Sequence, residues 1–117
     1  MAKLKATPKN FERAAAVLAG RESVRLGNNT YLENFSGGIA VRLHNTRIVR
    51  FHEDGTVTLH TGGWQTVTTK DRINEFITGR VYQKNHEWFY VGHTSEGAID
   101  WDNPEDFTEG MNVRRTS

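Results

Sequence analysis

The residues with the most chemical potential lie between positions 42 and 76, RLHNTRIVRFHEDGTVTLHTGGWQTVTTKDRINEF. Three histidines recur there at intervals of eight, His44, His52 and His60, with Glu53 and Asp54 beside the middle one. Such groups would hold zinc if three or four of them converged at about 2.0–2.2 Å from one ion. Strand geometry argues otherwise: side chains alternate faces, so an even spacing sets the rings in a row on one outward face. A second candidate is Thr68-Thr69-Lys70, just after Thr61-Gly62-Gly63. Free amides at a helix start attract phosphate, but the Gly-Lys-Ser/Thr ending of a phosphate-binding loop is missing. Capping is the better role. A third is the acidic run from Asp100 through Asp102 and Glu105 to Asp106. It fails as a calcium loop, because Pro104 takes a ligand position and the turn glycine is absent. It could instead imitate a phosphate backbone. No serine lies in a Gly-x-Ser-x-Gly elbow, and the absence of cysteine excludes thiol catalysis, thiolate metal sites and disulfides. The chain is expected to be non-catalytic, with no cofactor and no metal.

These residues need elements to position them. Thr7 suits an N-cap and Pro8 a first helical position, with Phe11, Ala14, Ala15, Val17 and Leu18 along one side and Gly20 as the stop. Residues 21–30 look like loop; Tyr31 to Asn34 begins a strand, and Ser36-Gly37-Gly38 turns it. Beyond, the odd positions are apolar: Ile39, Val41, Leu43, Val49, Phe51, Val57 and Leu59. Paired residues must share parity if one face is to be core. A two-residue Asp54-Gly55 turn would oppose Phe51 to Thr58 and fail. A three-residue loop with Gly55 left-handed opposes Phe51 to Val57 and Val49 to Leu59. Around His44-Asn45-Thr46 the same logic opposes Val41 to Val49 and Ile39 to Phe51. No glycine supports that turn, so one long bent strand over 39–51 stays open.

The opposite face then carries Arg42, Ile48, Arg50, His52, Thr56, Thr58 and His60, a cationic surface. Next comes a helix over 69–78, capped by Thr68 with Asp71 reaching back, burying Ile73, Phe76 and Ile77. Residues 80–91 read as a hairpin turning at Asn85-His86, with Tyr82 opposite Phe89 and Lys84 opposite Glu87. Trp88 and Tyr90 fall on its other face beside Val81. One helical turn is expected after Asn103. The fold class is α+β: an antiparallel meander and second hairpin, packed with an N-terminal helix and the helix near 69–78. The expected core is Phe11, Leu18, Ile39, Val41, Val49, Phe51, Val57, Leu59, Ile73, Phe76 and Phe89.

At 117 residues the chain suits one domain with a modest core, residues 1–117, the acidic segment 96–117 being peripheral. Mean hydropathy is low, −0.65, so the 10% of aromatic residues must supply much of the buried surface. The first twenty residues hold no apolar run long enough for a signal peptide or a span, so a soluble protein not exported by that route is expected. Charge is polarised. Residues 1–26 hold six basic and two acidic residues, a local +4, and residues 96–117 hold two basic and six acidic, a local −4.

The run LGNNTYLE…IAVRLHNT…F..DGTVTL.TGGW.TVTTKDRINEF, within residues 26 to 92, resembles a group of small proteins encoded by tailed phages and prophage-like regions. The resemblance implies phage-related origin and action in the cytoplasm of an infected bacterium. It brings no catalytic residues. Two partner classes follow from the surfaces. Arg42, Arg50, His52, His60 and Lys70 would contact the phosphates of a nucleic acid, with Trp64, Trp88 or Tyr90 stacking on bases. Alternatively, Trp64, Trp88 and Tyr90 would anchor an inhibitor or adaptor on a host or anti-phage-defence protein, or the acidic run would imitate nucleic acid. A net charge of only +1 argues against strong nonspecific binding.

Overall fold

Side-chain alternation sets the main sheet, and a computed structural model, describing residues 4–113, shows how. The termini of the expected 1–117 domain, residues 1–3 and 114–117, lie outside the described residues. In chain order the elements are α1 (Phe11–Leu18), β1 (Ser23–Gly27), β2 (Thr30–Phe35), β3 (Gly38–Leu43), β4 (Thr46–His52), β5 (Val57–Leu59), α2 (Val67–Asn74), β6 (Arg80–Lys84), β7 (Glu87–Val91), β8 (Glu105–Asp106) and β9 (Met111–Val113). The fold is α+β with antiparallel sheets. One has six strands in the order β1-β2-β3-β4-β5-β9, the other three in the order β6-β7-β8.

The register follows the parity argument. Ile39 faces Phe51, Val41 faces Val49, Phe51 faces Val57 and Val49 faces Leu59, and all six are buried. Gly55 has φ +93° in the three-residue loop between β4 and β5, the conformation a glycine adopts without a Cβ clash. The chain over 39–51 is a hairpin, not one bent strand. His44 takes the left-handed φ of 53° in place of a glycine, and Leu43 pairs with Thr46 across the turn.

One expectation about this hairpin fails. Arg42 pairs with Arg47 while Val41 pairs with Val49, so Ile48 is an extra residue, a β-bulge. Ile48 therefore turns inward and is fully buried beside Val49, rather than standing on the cationic face. Arg47 takes the outward place.

The inner face of the six-stranded sheet carries the core. Ala14 and Leu18 of α1, Ile73, Phe76 and Ile77 around α2, and Val81, Trp88 and Tyr90 of the small sheet all join it. Phe11 is only partly buried against this core. Parity in the second hairpin runs opposite to the expected core list: Trp88 and Tyr90 point inward, while Phe89 is half-exposed and stacks on Tyr82. The pairing itself is as read, Tyr82 with Phe89 and Lys84 with Glu87. Asn85 and His86 both take positive φ, 52° and 69°, as a two-residue hairpin turn requires.

Helix boundaries shift from the expected places. The α1 cap is Asn10, whose side chain accepts from the Arg13 amide, so Thr7 and Pro8 precede the helix. The α2 cap is Thr66, accepting from the Thr69 amide, so Thr68 lies inside the first turn and Asp71 closes no capping box. Caps are short-range choices among adjacent Thr and Asn residues, and periodicity does not separate them. Residues 21–30, expected as loop, contain β1. The segment after Asn103 forms no helical turn: it supplies β8 to the small sheet and β9 to the large one, and Phe107 and Val113 are buried. The acidic segment is thus woven into both sheets.

Asn74, at the end of α2, ties the helix to β6 by imitating a strand. Its amide donates to the Val81 carbonyl at 2.8 Å and its oxygen accepts from the Val81 amide at 2.7 Å. Asn74→Ala leaves both groups short of partners and is expected to cost about 1–3 kcal/mol, read as a lower urea midpoint. Phe51→Ala, at the centre of the core, should cost about 3–5 kcal/mol by the same measurement.

Candidate functional site

The outer face of the six-stranded sheet is where the sequence-predicted cations meet. With Ile48 bulged inward, Arg42 and Arg47 become opposite neighbours, an arrangement that like charges disfavour unless an anion intervenes. Glu33 of β2 supplies it. Its Oε1 accepts from Arg42 Nε at 2.9 Å and its Oε2 from Arg47 Nε at 2.8 Å. Burial would raise the Glu33 carboxyl, but the hydrogen bonds and charges of the two guanidinium groups outweigh it and hold the group below its ordinary range.

Aromatic rings lie beneath these cations. Arg42 sits over the Tyr31 ring at 4.6 Å, and Arg47 and Arg50 flank the Phe35 ring at 5.4 and 5.8 Å, cation–π distances. His52 meets Phe35 edge-on at 5.9 Å. Tyr31, Glu33 and Phe35 share one face of β2 because they alternate with the buried Leu32 and the exposed Asn34. Sequence reasoning missed Tyr31, Glu33, Phe35 and Arg47. The alternation of β2 was available as a signal for the first three. For Arg47 the only signal was the apolar doublet Ile48-Val49 inside an alternating strand.

Arg50 differs from its neighbours. It pairs with Ala40 and Thr58 across the sheet, its Nε is buried without a hydrogen-bond partner, and no carboxylate pairs with it among the described residues. The buried Nε is closed to a ligand, but the rest of this half-exposed guanidinium, with no carboxylate against it, keeps capacity for an anion.

The three histidines go separate ways. His44 is exposed at the β3–β4 turn. His52 contacts Thr58 Oγ1 at 2.7 Å through Nε2, and the same hydroxyl donates to Asn112 Oδ1 at 2.5 Å. A hydroxyl has one proton, so His52 must donate from Nε2. His60 lies 3.9 Å from Glu109. Burial pushes its pKa down, Arg50 adds repulsion, and Glu109 only partly offsets them. His60 is therefore a weak candidate for a phosphate-binding cation near neutral pH.

Of two other sequence candidates, one is satisfied internally and one is misplaced. The Thr61 and Gly62 amides, at 2.7 and 3.3 Å, and the Thr61 hydroxyl all donate to the Glu109 carboxylate. An anion does occupy the loop before α2, but the protein provides it. Lys70 belongs to α2, which packs against β4 and β6 on the inner side, away from the arginines. Among the proposed anchors, Trp88 and Tyr90 are each only 6% exposed, so they are core residues and offer no surface for stacking or docking. Burial, with Glu105 nearby, raises the Tyr90 hydroxyl. Trp64 is 68% exposed, and Trp101, which the sequence did not single out, is 57% exposed against Tyr82.

Trp64 also walls a cleft of about 330 Å³, with Leu43, Ile48, His44, Asn45, Thr46, Thr61 and Thr69. The Arg42 guanidinium donates to the His44 carbonyl at 2.5 Å, so the turn that lines this cleft also adjoins the arginine face.

Fold and face together describe a small α+β protein whose open sheet presents arginines over aromatic rings. The family model that matches the chain, over residues 8–114, is described as Kyanoviridae Gp96 protein. The chain belongs to this family, a phage protein family. No curated protein and no solved structure matches it. No helix among the described residues is long and apolar enough to cross a membrane.

Glu33 provides a pH test. A carboxyl held below its unfolded value contributes stability that is complete above that value and is lost as pH falls through the folded one. Wild type should unfold at higher urea than Glu33→Gln at pH 7, and the gap should close as pH drops below the ordinary 4.5. A gap unchanged at low pH would contradict the double ion pair.

Proposed function

We propose that this phage protein is a non-catalytic binding protein that contacts nucleic acid through the outer face of β2 to β5. The observation that carries this reading is Arg50, a half-buried guanidinium with no counter-ion among the described residues, set beside Arg42 and Arg47. Phosphate oxygens suit such a fork, because planar donors meet two acceptors at once. Tyr31 and Phe35 add ring surface in the same patch. His52 contributes a polar edge, whereas Lys70, Trp88 and Tyr90 drop out of the interface by position or burial. Glu33 neutralises part of the face, consistent with a net charge of only +1. Binding should accordingly be moderate and salt-sensitive.

A second reading, an inhibitor or adaptor on a host or defence protein, has its own support in the exposed apolar side chains Trp64, Val67 and Trp101. It loses two of the anchors first assigned to it. Salt tolerance separates the two readings, since apolar docking is little screened.

Fluorescence anisotropy with labelled oligonucleotides tests the proposal. Arg42→Ala/Arg50→Ala should weaken binding on the order of tenfold or more and lower the salt slope by about 2. Glu33→Gln, which removes the competing carboxylate, should shift affinity the other way. Unchanged affinity in the double variant would refute the proposed face.

A further inference from the structure

We infer that the ligand of this face is a single strand, one base of which enters the cleft beside Trp64. The inference deepens the nucleic-acid reading of the same face and rests on it. Shape comes first. Both helices and the small sheet contribute their buried residues to the core on the inner side, while the outer-face residues of β2 to β5 stay half-exposed apart from Ala40. At about 4.8 Å between strands, six strands span roughly 24 Å. A major groove about 12 Å wide admits a helix or a two-stranded ribbon, not such a plane. A duplex could meet this surface only with its backbone.

Charge and rings point the same way. Glu33 stands among the arginines, between Arg42 and Arg47, and penalises the dense phosphate rows of a duplex more than one flexible strand. Tyr31 and Phe35 stand on this face with guanidinium groups against their rings, so cation and ring planes are presented together. Bases inside a duplex are already stacked on each other. Unpaired bases can stack on aromatic rings and on arginine planes.

The cleft gives such a strand an end point. Arg42 links the face to the β3–β4 turn through the His44 carbonyl, and a strand that rounds this turn to the inner side of the sheet, where Thr69 of α2 stands, meets the 330 Å³ cleft. Its floor is apolar, from Leu43 and Ile48, and Trp64 offers an exposed indole as a stacking wall. The Asn45 carboxamide and Thr46 hydroxyl line it and make no hydrogen bond among the described residues. Donors and acceptors beside an apolar slot are what a base edge and a base face require.

The test titrates the full chain and its Trp64→Ala variant with one labelled oligonucleotide, in DNA and in RNA form, single-stranded and annealed to its complement. The single strand of at least one chemistry should bind tighter than its duplex, on the order of tenfold. Trp64→Ala should erase most of that preference and leave duplex binding unchanged. Because Trp64 is exposed, the fold should survive the substitution, which circular dichroism checks. Equal or stronger duplex binding overturns the single-strand inference while leaving the nucleic-acid reading intact. A Trp64→Ala variant with undiminished preference overturns the cleft's role. Binding to none of the four forms overturns both.

Discussion

One residue too many in β4 organises the cationic face of the large sheet. If the strand alternated without interruption, Arg47 would point into the core and Ile48 into solvent. The bulge at Ile48 removes that conflict: Ile48 and Val49 both go inward, and Arg47 is returned to the face that already holds Arg42. Strand bulges commonly re-aim a side chain at a cost in ladder pairing, and here the re-aimed group is a cation placed opposite another cation. Everything else on the face follows from that placement. Glu33 is needed between the two arginines, and the rings of Tyr31 and Phe35 pack beneath the guanidinium groups.

Anions provided from within are a recurring theme. Glu33 satisfies two arginines on the sheet, and Glu109 fills the amide pocket of Thr61 and Gly62. Both carboxylates stand where a phosphate oxygen would otherwise fit. The difference lies with Arg50, which has neither. The acidic C-terminal segment is therefore partly structural. Glu109 ties the loop before α2 to the residues that lead into β9, while Phe107 and Val113 bury apolar surface. The charge polarity of the chain does not divide it into a basic part and a detached acidic one.

Much of this architecture was legible in the sequence, and the boundary of legibility has physical causes. Parity from Ile39 to Leu59 predicted the register of β4 on β5 and gave that of β3 on β4 as one of two alternatives, because a buried face punishes any one-residue slip. Gly55 and the Asn85-His86 pair marked their turns for the same reason, each needing a positive φ. The bulge was illegible because Ile48 is as plausible on an exposed strand face as in a core. β1 was missed because Ser23 to Gly27 presents only Val24 and Leu26 as apolar residues between polar ones. Trp88 and Tyr90 were misplaced because the second hairpin bears aromatics on both faces, so alternation alone could not say which side meets the core. Of the candidate site, Arg42, Arg50 and His52 fall where strand alternation put them. Lys70 does not, since its side of the sheet is a tertiary fact.

The central claim is that β2 to β4 present a guanidinium surface to an anionic polymer. The most direct measurement follows the arginine Nε–Hε signals in a nitrogen–proton NMR titration with a short oligonucleotide. The account predicts that the signals of Arg42, Arg47 and Arg50 move together and saturate, while Arg80 on the small sheet stays still. A shift of Arg80 alone, with those three arginines unmoved, would contradict it.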